Sequence, residues 1–258
     1  MIYLESNTKI QKLRPVTKID INSDLGEGAG HDEQLMPLIS SCSIACGGHF
    51  GNEVTMRTAV RFAKEHDVNV GAHPSFPDKD NFGRKMFTIT QEELIESIVD
   101  QLLAFYSICD SEDLPIHHIK LHGALYNYAA IDTSTANAVV EAIVATKIRP
   151  KLYLQHGSIL HRKAENIIPL VFEAFIDRNY NDDLSLVTRG NPNALISTPK
   201  DAWYQLYNII EKGSITTVDG AKKPITASTF CIHGDNENSV VILKYIHEQM
   251  VSRKISLE

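Results

Sequence analysis

The chain has 258 residues, 43% of them hydrophobic, with a formal net charge of −7 at pH 7 and a pI near 5.9. That is enough apolar material for one α/β barrel or two smaller domains, while a mildly acidic surface leaves no electrostatic footprint for nucleic acid or anionic membrane. No apolar run reaches the roughly 20 residues of a membrane helix, and the opening MIYLESNTKIQKLRPVTK lacks a secretory apolar stretch, so a cytoplasmic location is expected.

Residues 1–17 precede the first strong strand signal and are expected to form a flexible N-terminal extension. From there strands and helices alternate. Ile19 and Ile21 predict a strand ending at Asp24, and SIAC a second, followed by a helix from about Asn52 carrying Met56, Val60 and Ala63 on one face. NVGAH is a third strand. Thr90 and Glu93 form a capping-box signature ahead of the stripe Leu94, Ile95, Ile98, Leu102 and Phe105. IHHIKLH is a fourth strand, after which Asp132 caps a helix, KLYLQ reads as a fifth strand and PLVFEAFID as a sixth. Pro199 opens a helix that Gly213 closes, a hairpin turns at Asp219–Gly220, and TFCIHGD is a seventh strand before the last helix.

Strands alternating with helices imply a parallel sheet, buried on both faces. A single TIM-like (β/α) barrel over residues 18–258, with seven strands, is the economical closure; a doubly wound open sheet is the alternative. An open sheet would gather ligands near one switch point, whereas here nearly every strand terminus carries a polar group. Cys42, Cys46, Cys109 and Cys231 lack the spacing of a disulfide framework or a paired zinc site and are expected to be reduced.

Those strand ends hold the candidate chemistry. Asp24 and Glu27 lie in SDLGEG, a glycine-rich turn that is no P-loop; an Asx turn is the bland reading. His49 and His73 each end a strand and are followed by loop-forming residues, where imidazole ligates metal, moves protons or binds substrate. Lys120 and His122 share a side by strand period, and an inward lysine needs a partner or a task, such as holding an oxyanion. Glu173 and Asp177 share one face of the sixth strand, suiting acid–base work or an ion-pair network with Lys120 or Arg178. His233 and Asp235 form a similar pair. Arg84 and Arg189 lie on loops and suit a carboxylate or phosphate.

Taken in order, DLGEG, IACG-x-H, GAHPS-x-PD, FGR, K-x-HGALYN, DR-x-Y and C-x-HGD resemble the LamB/YcsF family, understood as the A component of the prokaryotic ATP-dependent 5-oxoprolinase. The chain departs from the usual pattern at Gly48, Phe50 and Asn52, where the family reads IACGFHAGD; Gly48 and Phe50 suggest a size exchange within one pocket, and Asn52 lacks the charge an aspartate would bring near His49. The resemblance implies a barrel of the glycoside hydrolase/deacetylase type. It also implies cleavage of 5-oxo-L-proline to L-glutamate, with ATP and Mg²⁺ as co-substrate, in a complex with B and C subunits.

On that reading ATP converts the lactam oxygen into a phosphorylated leaving group that water displaces. Lys120, Arg178 and His233 are expected to bind developing negative charge; Asp24, Glu173 or Asp177 is the base, and His73 or His122 shuttles a proton. Glu27, His49, Arg84, Tyr126, Arg189 and Asp235 are expected to bind substrate or phosphate. Two alternatives stand beside it: a metal-dependent deacetylase or amidase acting without ATP, with Asp24, His49 and His73 as ligands, and a non-catalytic component presenting 5-oxoproline. Whether the chain forms a homo-oligomer is left open.

Overall fold

The computed structural model describes residues 17–258; residues 1–16, which hold most of the expected extension, lie outside the described residues. β1 (Lys18–Leu25) sets the pattern of the scaffold. Ile19, Ile21 and Leu25 join the apolar core, while Asp20, Asn22 and Asp24, two residues apart, reach across the barrel interior to Tyr153, Glu173 and Lys120.

Along the chain, β1 is followed by α1 (Asp32–Leu35), a 3₁₀ turn, β2 (Ser41–Ala45), α2 (Glu53–Glu65), β3 (Asn69–His73) and α3 (Gln91–Ser111). Next come β4 (Ile116–Lys120), α4 (Gly123–Ile131), α5 (Thr133–Ala145), β5 (Lys151–Leu154), α6 (Ile159–Ala164) and β6 (Leu170–Phe175). The chain ends with α7 (Pro199–Lys212), the hairpin β7 (Ser214–Thr216) and β8 (Lys222–Pro224), β9 (Thr229–His233), α8 (Ser239–Ser252) and β10 (Ser256–Leu257). The order β1-β2-β3-β4-β5-β6-β9 returns from β9 to β1, all in parallel, which closes a seven-stranded TIM-like barrel. β10 pairs with the start of β1 outside that ring.

The helix signals are met by hydrogen bonds. Thr90 and Glu93 cap α3 reciprocally, Asp132 accepts from Thr135 N, and Gly213 ends α7 in the left-handed conformation that glycine adopts at least cost. Asn52 and Thr55 make a second capping box on α2, with the Asn52 side chain accepting from Val54 N and Thr55 N. The charge missing at Asn52 therefore concerns a helix cap rather than His49.

Three features differ from expectation. α4 was not predicted, because GALYNYAAI is apolar on nearly every side and carries no 3.6-residue stripe. β6 stops at Phe175, so Ile176 and Asp177 belong to the loop beyond it. Gly48 abuts Gln101 and Ser75, whereas Phe50 stands against Gly28 and Phe82, so the two exchanged positions do not share one pocket.

Candidate active site

The C-terminal ends of the strands surround a cavity of about 790 Å³, lined by Asp24, Glu27, Lys120, His122, Tyr126 and His233 among others. A second, more open concavity of about 660 Å³, beside Gly48, Phe87 and α3, is lined by none of the expected site residues.

Lys120 is the centre of the cavity floor and is 1% exposed. Its Nζ lies 3.0 Å from Asp24 Oδ1 and 2.8 Å from Glu173 Oε1, and donates to Asn22 Oδ1 at 3.0 Å and to Cys231 Sγ at 2.9 Å. Burial alone would drive the proton off; Asp24, Cys231 and Glu173 outweigh it and hold the ammonium well above the usual lysine range. Burial likewise pushes Asp24 up, but His73, Lys120 and His233 together bring it below its ordinary value. Glu173 goes the other way: burial raises it despite Lys120, so this is the carboxyl that takes a proton most readily. Asn22 and Cys231, which complete the lysine's coordination, were not among the expected residues. Asn22 was nonetheless legible in the alternation Asp20-Asn22-Asp24.

Beside Lys120 stand three imidazoles and two carboxylates. His73 Nδ1 donates to the Lys120 carbonyl at 2.8 Å, and His122 Nε2 donates to the Phe82 carbonyl at 2.9 Å. His49 Nε2 is 2.9 Å from Glu27 Oε1, and the His49 ring stacks on His122 at 3.6 Å between centroids. The loop that holds His122 is tightly built. Phe82 has φ 53°, a conformation side chains rarely adopt, and a Cβ on Gly123 would stand 2.7 Å from the Gly83 carbonyl. Burial depresses His73 to about 3 and lowers His49, so both rings are neutral at pH 7. Burial would raise Glu27, but hydrogen bonds from His122 and His49 hold it well below the usual carboxylate range.

On the opposite wall His233 Nδ1 lies 3.0 Å from Asp177 Oδ1, and its backbone N–H donates to Asp177 Oδ2 at 3.0 Å. Asp177 is fully buried, with burial outweighed by His233, which holds it below the usual range. Its oxygens are committed to His233 and Asn236, and it does not line the cavity. It therefore orients His233, with Nδ1 protonated and Nε2 free for the cavity. His233 also stacks on Phe175. Tyr126 has its hydroxyl buried without a hydrogen-bond partner among the described residues, and burial, helped by Glu173, raises it well above the usual tyrosine range.

Arg84, Arg178 and Arg189 all line the cavity. Arg84 and Arg189 converge on Asp235, Arg189 at 3.3 Å, while Arg178 donates to the Val187 carbonyl at 2.6 Å and the Ala194 carbonyl at 3.3 Å, pinning the loop that carries Arg189. Two groups of side chains bring metal-ligating atoms within 4.8 Å of one another: Glu27, His73 and His122, and Asp24, Cys231 and His233. The second is filled by the Lys120 ammonium, and burial pushes the Cys231 thiol well up, so it stays protonated. The first has no such occupant. All four cysteines are free and buried.

Among the described residues, no helix is long and apolar enough to cross a membrane. A relative from Haemophilus influenzae (strain PittEE), named as the A component of 5-oxoprolinase, is 42% identical over 241 residues, 93% of this chain and 98% of that protein. A protein of the same name from Histophilus somni (strain 129Pt) is 38% identical, covering 92% of this chain and 97% of its own. The crystal structure of a lactam utilization protein from Thermus thermophilus superposes with a TM-score of 0.86 at 34% identity, covering 93% of this chain and 99% of that one. A family 4 carbohydrate esterase from Streptomyces lividans, at 7% identity and a TM-score of 0.50, shares the fold alone. The LamB/YcsF family model matches residues 19–258, and the chain belongs to that family.

Proposed function

We propose that this chain is the A component of an ATP-dependent 5-oxoprolinase, opening 5-oxo-L-proline to L-glutamate in a complex with B and C subunits. Two relatives at 42% and 38% identity carry the name of that component, and a similar structure is that of a lactam utilization protein. The observation that carries the reading is the Lys120 ammonium. It is held between Asp24 and Glu173 on the floor of a cavity walled by His233 and His122.

A lactam is a resonance-stabilised amide, and ATP makes its carbonyl carbon attackable. The lactam oxygen forms a bond to the γ-phosphorus as the bond to ADP breaks. Water then adds to the carbonyl carbon and gives up a proton, and the carbon–nitrogen bond breaks as the nitrogen is protonated. This leaves an acyl phosphate that a second water converts to carboxylate and inorganic phosphate. His233 Nε2, aimed by Asp177, takes the proton from water. Lys120, held by Glu173, stabilises negative charge developing on oxygen, and His233 returns the proton it took from water to the leaving nitrogen. Arg84, Arg178 and Arg189 give the rim a cationic edge suited to the substrate carboxylate or to phosphate.

The test is glutamate release from 5-oxoproline with and without ATP and Mg²⁺, by the chain alone and with its partner subunits. Release only with ATP and partners supports the proposal. A second reading, amide hydrolysis without ATP, is favoured by the Glu27–His73–His122 cluster, and chelator-sensitive release by the chain alone without ATP would replace the first.

A further inference from the structure

Near Lys120, two imidazole nitrogens and a carboxylate oxygen converge, with a second carboxylate beside them. A carbonyl oxygen can only accept, so the bonds from His73 Nδ1 to the Lys120 carbonyl and from His122 Nε2 to the Phe82 carbonyl place a proton on the outer nitrogen of each ring. The inner nitrogens, His73 Nε2 and His122 Nδ1, lie 3.0 Å apart, and each can offer a lone pair to a cation. Glu27 Oε1 is 3.0 Å from His122 Nδ1 and 3.6 Å from His73 Nε2, and Asp24 Oδ2 is 3.4 Å from His73 Nε2. Lone pairs at these separations in a dry pocket repel one another unless a positive charge stands among them. Lys120 does not serve, because its ammonium contacts Asp24 through the other oxygen, Oδ1, and turns to Glu173, Asn22 and Cys231.

We propose that this cluster is a divalent-cation site in which His73 Nε2, His122 Nδ1 and Glu27 are the ligands, with Asp24 Oδ2 beside His73. Ligand atoms each about 2.0–2.2 Å from one ion stand about 3.0–3.6 Å from one another, the spacing found among Glu27, His73 and His122. Two imidazoles with carboxylate oxygens suit zinc, or manganese, cobalt or ferrous iron, better than the all-oxygen shell that magnesium or calcium prefers. The surroundings are those of a supported metal site. Both ligating rings are locked by a backbone carbonyl, and Asp24 is braced by Lys120 through the oxygen turned away from the ion. His49 donates from Nε2 to Glu27 Oε1 and so stands behind a ligand. This exchanges the trio expected from sequence, Asp24, His49 and His73, for one in which His49 is a positioning residue. The site stands whether or not 5-oxoproline is the substrate.

The full-length chain, stripped with chelator and shown to be folded by circular dichroism, is titrated by calorimetry with Zn²⁺, Mn²⁺ or Co²⁺, and its Co²⁺ form is read by visible absorption. The expected result is one ion per chain with ligand-field bands for Co²⁺. Affinity should fall on the order of 100-fold or more in His73→Ala and His122→Ala, and about 10–100-fold in His49→Ala. A folded wild-type chain that takes up none of the three ions overturns the proposal, and a ¹⁵N spectrum showing His122 doubly protonated would then assign the positive charge to a proton. An ion whose affinity both histidine variants leave unchanged also overturns it. The wild-type titration decides the matter even if a variant fails to fold.

Discussion

Near the N-terminal ends of the strands, Asp20 accepts from Ser40 at 2.7 Å, from Ser41 at 2.9 Å and from the Tyr153 hydroxyl at 3.1 Å, while His118 meets Ser43 at 3.1 Å and stacks on Tyr153. Around the cavity, Asp24 on β1, Glu173 on β6, Tyr126 on α4 and His49 in the loop after β2 are equally buried, yet each keeps one polar atom without an aligned hydrogen bond. Of six such side-chain atoms among the described residues, these are four. Buried polar groups are normally satisfied, because leaving one unpaired costs about 1–3 kcal/mol. A layer that is complete within the protein is therefore structural, and a layer left incomplete is shaped for something the protein does not itself contain.

Substitutions should separate the two layers. Lys120→Met is expected to lower turnover of the assembled complex on the order of 10³-fold, since it removes the charge that meets developing negative charge; steady-state glutamate release would show it, and near-normal activity would end its assignment. Asp177→Asn leaves His233 in place without its anionic partner, and should cost about 10²-fold in turnover or more. Its pH–rate profile should shift as well, which a purely structural role for Asp177 would not produce. Tyr153→Phe, in the complete layer, should do the reverse. It removes a bond to Asp20 and should lower unfolding free energy by about 1–3 kcal/mol in urea titrations, while turnover stays within a few-fold.

Asn52→Ala tests a residue outside both layers: loss of the α2 cap should cost about 1 kcal/mol and leave turnover unchanged. The smallest effect is a slope. Burial holds His118 well below its ordinary value, so the unfolded chain binds a proton that the folded chain refuses. Its stabilisation is fully present above about pH 6.5 and is lost as pH falls below that. The melting temperature of wild type should thus drop on acidification more steeply than that of His118→Gln.

The residues that were legible are those whose local chemistry suffices. Thr90 with Glu93, Asp132 and Gly213 mark helix ends because their bonds are made within a few residues, and seven strand signals between helices were enough to expect the closed parallel barrel. GALYNYAAI hid α4 because an evenly apolar segment has no periodicity to read. Asp177, assigned to a strand face shared with Glu173, lies past the end of β6 and turns to His233, a partner 56 residues away.

The sequence by itself determined the alternation of elements, the family, and the placing of Asp, His and Lys where strands leave the sheet, since all of these depend on period, capping and residue type. Only the tertiary structure decided which of those groups share a site and what each is. Barrel closure brings Asp24 and Glu173 to within 3.0 Å of the Lys120 ammonium across separations of 96 and 53 positions, and the resulting burial and charge decide how readily each carboxyl takes a proton. Charge state and tautomer are properties of an environment, and the environment here is built from six different strands and the loops that follow them.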